Sequence, residues 1–369
     1  MKRILTINVG SSSIRVITFR TNGTNVDLEP ISSLDVAEVS QCFEGADKVS
    51  AIAHRVVHAG VVQEDAALLD DGITSRIRNG IPLAPNHNQK VLNTIQAAAK
   101  RLQSVPQIAV FDSAFHRTIP LPAALYPVPY DWYVRFSVKR LGFHGLSHRY
   151  ASERAAQILG YVPRHLVVAH IGNGASLAAI REGVSVDTTM GFTPLEGLMM
   201  GQRSGTVDPG ILLYLMQKER LTPPEMERLI SSESGLLGTS GVSADFREIL
   251  DLRIAGHERA TLAFDMYVHR VRRGIGEMAA AMNGIDALVF TGGVGEHSSE
   301  IRRAVCSGLS SFGIKIEEAR NEAVCADATV SRSDSPVSVL VVTAKENWMM
   351  ARAAAAILYD DDSRPDPEL

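Results

Sequence analysis

The chain has 369 residues, 45% hydrophobic and 21% charged, with a formal net charge of −4 and a pI near 6.3. That length suits two domains with sizeable cores, and the mild acidity argues against a partner held through a nucleic-acid backbone or an anionic membrane surface. Three scattered cysteines (Cys42, Cys306, Cys325) supply neither a disulfide framework nor a zinc site. Together with a first strand that starts at once, without a leader, and no run of about 20 apolar residues, they point to a cytoplasmic protein.

In chain order, "RILTINV" and "SIRVITFR" read as strands around "GSSS", and "TNG" (Thr21–Gly23) is a hairpin signal before a third strand in "TNVDLEPI". "NVGSSSIRV" (Asn8–Val16) is either a plain turn or a loop that holds phosphate oxygens. In "AIAHRVVHAG", strand alternation places Ala53, Arg55 and Val57 on one face and Ile52, His54 and Val56 on the other. Arg55 beside Val57 fits a pocket for a small molecule with a charged head and an apolar end, or an internal salt bridge. "NHNQKVLNTIQAAAKRL" has helical spacing, and "QIAVFDS" is a strand buried on both faces that ends at Asp112.

"LGFHGLSH" sets His144 between glycines, with His148 four residues on, ahead of the helical "HRYASERAAQIL". Zinc there lacks a third ligand at useful spacing. "LVVAHIGNGASLAAIREGVSV" (Leu166–Val186) repeats the opening pattern of strand, small-residue turn, strand, glycine turn and strand, with Gly172 opposite Gly10. The weak internal repeat implies two related halves, each a mixed sheet flanked by helices, with nucleotide and substrate between them. "GLMMGQRSGTVDPG" displays Arg203 in a glycine-flanked loop. "SGVSADFREIL" offers Asp245 as a helix N-cap with Glu248 three residues on. "FTGGVGEHS" leaves a buried strand and opens a helix, so its amides could face an anion. It lacks the Walker lysine, and no convincing dinucleotide fingerprint follows the first strand. "VSVLVVT" is a last buried strand, and "DDDSRPDPEL" an acidic, frayed tail.

"NVGSSSIRV", "HRVVHAG", "FDSAFH", "GFHGLSH", "HIGNGAS", "MGFTPLEGLMMGQRSG", "SGLLGTSGVSADFR" and "FTGGVGEHS" occur in the order found in acetate kinases, and the resemblance runs from residue 2 to about 352. It implies an α/β protein of two duplicated mixed-sheet domains, ribonuclease H-like as in actin, sugar kinases and heat-shock ATPases. The domains would be 1–114 plus 347–369 and 115–346, closing on a nucleotide. The implied reaction is reversible phosphoryl transfer from ATP to acetate, giving acetyl phosphate and ADP. Mg²⁺ (or Mn²⁺) would be held by Asn8 and Glu346, and the protein would be a homodimer. The resemblance makes Asp112, His144 and Arg203 catalytic, and assigns Arg55, Val57, Asn86, Phe143 and Pro194 to the substrate. To the nucleotide it assigns Arg15, His170, Ile171, Gly172, Asn173, Gly174, Asp245, Phe246, Arg247, Gly293, Val294, Gly295, Glu296 and His297.

The chain departs from the family pattern in several places. Ala59 replaces a glycine, Asn86 a leucine, Gln89 a proline, Gln202 a threonine, Thr206 an aspartate and His297 an asparagine, while Arg15 stands for a lysine. Several dozen residues usual between the first meander and "HRVVH" are absent. A kinase for propionate or another short acid is the alternative within the class. A nucleotide-binding sensor without turnover is the rival outside it, but such a protein has no need of Asn8, Arg55, Asp112, His144, Arg203 and Glu346 together.

Overall fold

A computed structural model describes residues 1–10, 14–22, 28–43, 48–325 and 327–361, with the side chains of Asn86, Asp360 and Asp361 outside the description. The serines at 11–13, Gly23 of the expected hairpin, the side chain of Asn86 and the tail beyond 361 therefore lie outside the described residues.

The chain forms two compact units, Met1–Arg117 with Lys345–Leu369, and Thr118–Ala344. The first holds strands β1 (Lys2–Val9), β2 (Ile14–Thr21), β3 (Glu29–Val36), β4 (Ala51–Val56), β5 (Ala66–Leu68) and β6 (Gln107–Phe111). Its helices are α1 (Asp71–Asn79), α2 (Pro85–Arg101) and, from the C-terminal end, the helix Glu346–Asp361. The sheet order is β3-β2-β1-β4-β6-β5. The third strand is described from Glu29 to Val36 and runs past the end of "TNVDLEPI", because pairing with β2 carries it to Ile14↔Val36; residues 24–27 of that stretch lie outside the described residues.

Alternation along β1 decides which face each residue serves. Leu5, Ile7 and Val9 enter a core shared with Ile52 and Val56 of β4, Ala109 and Phe111 of β6, and Val91, Leu92, Ile95 and Ala98 of α2. Those α2 positions recur at helical spacing and form its apolar stripe, and Pro85 occupies the first turn, where no backbone donor is needed. Thr6 and Asn8 point the other way and meet Asn347, at the start of the C-terminal helix.

The second unit holds helices α3 (Leu121–Ala124), α4 (Tyr130–Phe136) and α5 (Gly145–Leu159), then strands β7 (His165–Ile171), β8 (Ala175–Arg181) and β9 (Val184–Thr188). After these come α6 (Pro209–Lys218), α7 (Pro223–Ser232), α8 (Gly235–Ser240), α9 (Phe246–Ile254) and α10 (Glu258–Met282). The remainder is β10 (Ala287–Thr291), α11 (Gly292–His297), α12 (Ser299–Ser307), α13 (Glu318–Ala323), β11 (Ala328–Thr329) and β12 (Ser338–Val341). The C-terminal helix Glu346–Asp361 of the first unit is therefore α14.

The second sheet has the order β11-β12-β10-β7-β8-β9. In both sheets three antiparallel strands (β1–β3, β7–β9) are followed by two parallel ones (β4 and β6, β10 and β12) and an antiparallel edge strand (β5, β11). This is the duplication that the repeat around Gly10 and Gly172 announced. Glu182 and Gly183 both have positive φ, as a two-residue hairpin turn between β8 and β9 requires.

Candidate active site

In the first unit the parallel strands β1, β4 and β6 end side by side, and each ends near a polar residue on the α14 face. Arg55 Nη2 donates to Asp112 Oδ2 at 2.7 Å, and Arg55 Nη1 to Asn8 Oδ1 at 3.1 Å. Asn8 Nδ2 donates to Glu346 Oε2 at 3.0 Å, and Glu346 Oε1 lies 4.0 Å from Arg55 Nη1. Arg55 and Asp112 are buried, so this is a polar network in a region of low dielectric. Burial works against the guanidinium charge, but the Asp112 and Glu346 carboxylates and the hydrogen bond to Asp112 raise the Arg55 pKa above its ordinary value. The internal salt bridge and the functional reading of Arg55 are thus not exclusive. The pair fixes the guanidinium at the carboxyl ends of the parallel strands of this mixed sheet, where ligands bind in open α/β sheets.

Two residues without a place in the sequence reading support this network. Asn347 Oδ1 accepts from Asn8 Nδ2 at 3.3 Å, while Asn347 Nδ2 donates to Thr6 Oγ1 at 2.9 Å. Thr6 in turn donates to the carbonyl of Ile17 at 2.9 Å. Their signal in the sequence is slight: Thr6 is a polar residue within an apolar strand, and Asn347 follows Glu346.

Glu346 is a hard-oxygen donor of the kind Mg²⁺ takes, but the Asn8 group that faces it is Nδ2–H, while Asn8 Oδ1 accepts from Arg55, so Asn8 would have to turn its amide to join Glu346 at a metal. Among the described residues no cluster of three His, Cys, Asp or Glu side chains could hold a metal alone. A cation bound here would draw further ligands from phosphates and water, as Mg²⁺ commonly does. Val57 is buried just beyond β4, and Asn86 lies in the first turn of α2. Gln89 is exposed and donates to Asn93. Arg15 forms an exposed ion pair with Asp35 across β2 and β3.

In the second unit His144 occupies the N-cap of α5 at φ 55°, a left-handed conformation that costs a non-glycine residue about 1–2 kcal/mol. Its Nδ1 lies 2.9 Å from Ser176 Oγ, and its ring is stacked 4.3 Å from that of His170. His170 Nδ1 is 2.7 Å from Ser147 Oγ of α5. Arg203 Nη1 donates to the carbonyl of Pro194 at 3.0 Å. The loop that carries Arg203 is tied down on two sides. Gly201 N donates to Asn173 O at 3.0 Å, and Leu236 N of α8 to Met200 O at 2.9 Å. Thr206 closes the loop by exchanging bonds with the backbone of Gly197.

His144 and Arg203 converge on the β7–β8 turn. A side-chain carbon at Gly174 would stand 3.4 Å from His144 Nε2 and 3.6 Å from Arg203 Nη1. Glycine there keeps open the space that both side chains face. Phe143, beside His144, is buried, and Pro194 is half-buried.

The three stretches expected at the nucleotide all lie in this unit. His170–Gly174 ends β7, and Gly293–His297 lies in α11 directly after the paired strand β10, with Thr291↔His170 in register. Gly292 (φ 78°) could not be replaced: its side-chain carbon would sit 2.8 Å from the Ile171 carbonyl. Arg302, almost fully buried, donates to the carbonyls of Gly295, Glu296 and Asn321 and to Asn321 Oδ1, which fastens the α11 loop. Burial lowers its pKa only to about 10, so it stays cationic at neutral pH. The Glu296 carboxylate accepts from Ala344 N, and His297 is exposed.

Asp245 is the N-cap of α9 as its spacing suggested, accepting from Arg247 N at 2.8 Å, and it also pairs with the exposed Arg247 guanidinium. The capping box differs from the sequence pattern. Glu248 accepts from Ser243 Oγ, and Ser243 Oγ accepts from Asp245 N, so a serine relays the contact. The rings and side chains of Phe246 and Ile171 are buried in the core, which leaves their backbone as the part that a nucleotide could meet.

Comparison with known proteins agrees with this layout. The model of the acetokinase family matches residues 22–352. An acetate kinase of Nostoc punctiforme is 48% identical over 321 residues, which are 86% of this chain and 79% of that protein. One from a Synechocystis strain is 49% identical over 309 residues, 83% of this chain and 75% of that protein. The crystal structure of Porphyromonas gingivalis acetate kinase superposes with a TM-score of 0.86 at 36% identity, covering 97% of this chain and all of that one. A propionate kinase from Francisella tularensis gives the same TM-score at 32% identity, covering 96% of this chain and 99% of that one. With a family match over most of its length and the same duplicated sheets, this chain belongs to the acetokinase family.

Proposed function

We propose that the protein catalyses the reversible transfer of the γ-phosphoryl group of ATP to acetate, giving acetyl phosphate and ADP. The observation that carries this reading is the network of buried Asn8, Arg55 and Asp112 with the half-buried Glu346, intact in a chain of the acetokinase family. A carboxylate nucleophile is already ionised at neutral pH, so no general base is required. The obstacle is to bring two anions together and to hold the attacking oxygen in line with phosphorus.

Arg55, oriented by Asp112 and Asn8, would bind the substrate carboxylate and the transferring group. Arg203 and His144 would donate to the equatorial oxygens. Val57, Phe143 and Pro194 would line the apolar end of the substrate site, with Asn86 at its margin. His170–Gly174, Asp245–Arg247 and Gly293–His297 would hold the nucleotide, with Arg15 as a further ATP contact. Asn8 and Glu346 would hold Mg²⁺, whose charge neutralises the phosphates as the bond to the leaving oxygen breaks.

The reading includes a cytoplasmic homodimer. No helix among the described residues is long and apolar enough to cross a membrane. Tyr130, Trp132, Val134 and Phe136 of α4, and Ile211, Leu213 and Tyr214 of α6, expose apolar side chains that a subunit interface would cover. Sedimentation at micromolar concentration checks this, and a monomer of 39.9 kDa would refute it.

Hydroxamate trapping of acyl phosphate, with Mg²⁺-ATP and a panel of short carboxylates, tests the activity. Acetate should give product and ADP in equal amounts. Absence of acyl phosphate from every acid would leave a nucleotide-binding protein instead. Propionate is the second reading, favoured by the equal structural similarity to a propionate kinase.

A further inference from the structure

Two histidines meet at one hydroxyl. Ser176 Oγ lies 2.9 Å from His144 Nδ1 and 2.8 Å from His148 Nε2. Ser176 and His148 are fully buried, the one on β8 and the other one turn into α5, so the sheet and the helix fix both distances. Ser176 Oγ has no other hydrogen-bond partner among the described residues.

A hydroxyl carries one hydrogen and two lone pairs, and a neutral imidazole has one N–H and one bare nitrogen. Three arrangements satisfy both short contacts. In one, Ser176 donates to His144 Nδ1 and accepts from His148 Nε2–H. In another, the direction is reversed. In the last, both rings donate to Ser176, and its own buried hydrogen is left without an acceptor, a costly state. The first two link the rings: either both carry hydrogen on Nε2, or both carry it on Nδ1.

The far side of His144 distinguishes these two states. Its Nε2 faces the space at Gly174, where Arg203 Nη1 also arrives. With hydrogen on Nε2 the neutral ring offers an N–H donor beside a guanidinium. With hydrogen on Nδ1 it offers a lone pair, which repels an anion held by Arg203.

We propose that Ser176 and His148 are positioning residues that set the tautomer of His144. When an anionic phosphoryl group lies beside Arg203, His148 donates to Ser176, Ser176 donates to His144 Nδ1, and His144 Nε2–H faces the phosphoryl oxygens. A neutral histidine thereby becomes a donor without taking up a proton. The inference rests on the reading that His144 and Arg203 hold the transferring phosphoryl group.

Long-range ¹H–¹⁵N correlation spectra of the full chain, labelled at histidine, report the tautomer of each ring. His144→Gln and His148→Gln spectra assign the signals. With the Mg²⁺ complex of a non-hydrolysable ATP analogue bound, both rings should carry hydrogen on Nε2. Ser176→Ala should give His144 a mixture of tautomers and lower kcat about 10-fold while KM for ATP and for acetate changes less than 2-fold. Ser176→Thr keeps the hydroxyl and should restore the matched tautomers, whatever its effect on stability. Unmatched tautomers in the native protein, hydrogen on His144 Nδ1 in the complex, or an unchanged His144 tautomer in Ser176→Ala would each overturn the proposal. If the tautomers match but no carboxylate yields acyl phosphate, the tautomer control stands and the assigned reaction fails.

Discussion

Replacing Asp112 by asparagine removes one negative charge and almost no volume. The carboxylate is fully buried and accepts from Arg55 Nη2 at 2.7 Å, and the guanidinium it serves is itself buried. Breaking a buried ion pair on one side costs roughly 3–5 kcal/mol, because the remaining charge loses its partner. Here two contacts reduce that loss. An asparagine oxygen can still accept from Arg55 as a neutral group, and Glu346 Oε1 remains 4.0 Å from Nη1. We expect a net destabilisation of about 2–3 kcal/mol, read as a lower urea midpoint at unchanged slope. The effect on kcat should be at least of similar size. Arg55 is held by Asp112 on one side and Asn8 on the other, and an arginine aligned on a transferring phosphoryl group can be worth ~10³ in rate. Asp112→Asn should therefore lower kcat by ~10² or more in the hydroxamate assay. A cycle with Arg55→Gln separates a shared role from two independent ones. If the pair acts as a unit, the double variant should be little worse than the poorer single variant, with a coupling of about 2 kcal/mol. Additivity within ~0.5 kcal/mol would refute the reasoning.

Arg203→Ala removes a half-buried side chain from a loop that backbone bonds already hold, so kcat should fall by orders of magnitude while the melting temperature barely moves; loss of folding would count against a catalytic role. Asn86→Leu should lower KM for acetate several-fold with little change in kcat, because this position is remote from phosphorus, and an unmoved KM would place Asn86 outside the substrate site. Burial lowers the His54 pKa to about 4 against an ordinary 6.5, despite the hydrogen bond that its Nε2 donates to Gln107 Oε1, which works to raise it. Between those values the unfolded chain takes up a proton that the folded one refuses, so this contribution is complete above about pH 6.5 and is lost as pH falls toward 4. At about 1.36 kcal/mol per unit it amounts to roughly 3 kcal/mol. Urea titrations at pH 5 and 7 should show the difference, and His54→Gln should flatten it; an equal slope in both proteins would exclude His54 as the cause.

Much of the fold was legible because the relevant forces are local. Alternation in "AIAHRVVHAG" assigned Arg55 and Val56 to opposite faces, and the repeat around Gly10 and Gly172 revealed the duplication now seen in the two strand orders. Helical spacing placed α2 and α5 to within a few residues. The third strand runs farther than its expected end at Ile31, since its far bound follows from pairing with β2 and not from its own composition. The candidate site residues stood in the sequence as separate motifs, and the family resemblance supplied their expected roles. The resemblance had set Asn8 and Glu346 at one metal, but the sequence held no sign that they would bond directly across 338 positions, that Thr6 and Asn347 would brace that bond, or that Ser176 would stand between two histidines. Those contacts depend on strand order, register and the face on which a helix lands. Such features are set by burying the whole core at once, and a local pattern of residues carries no record of them.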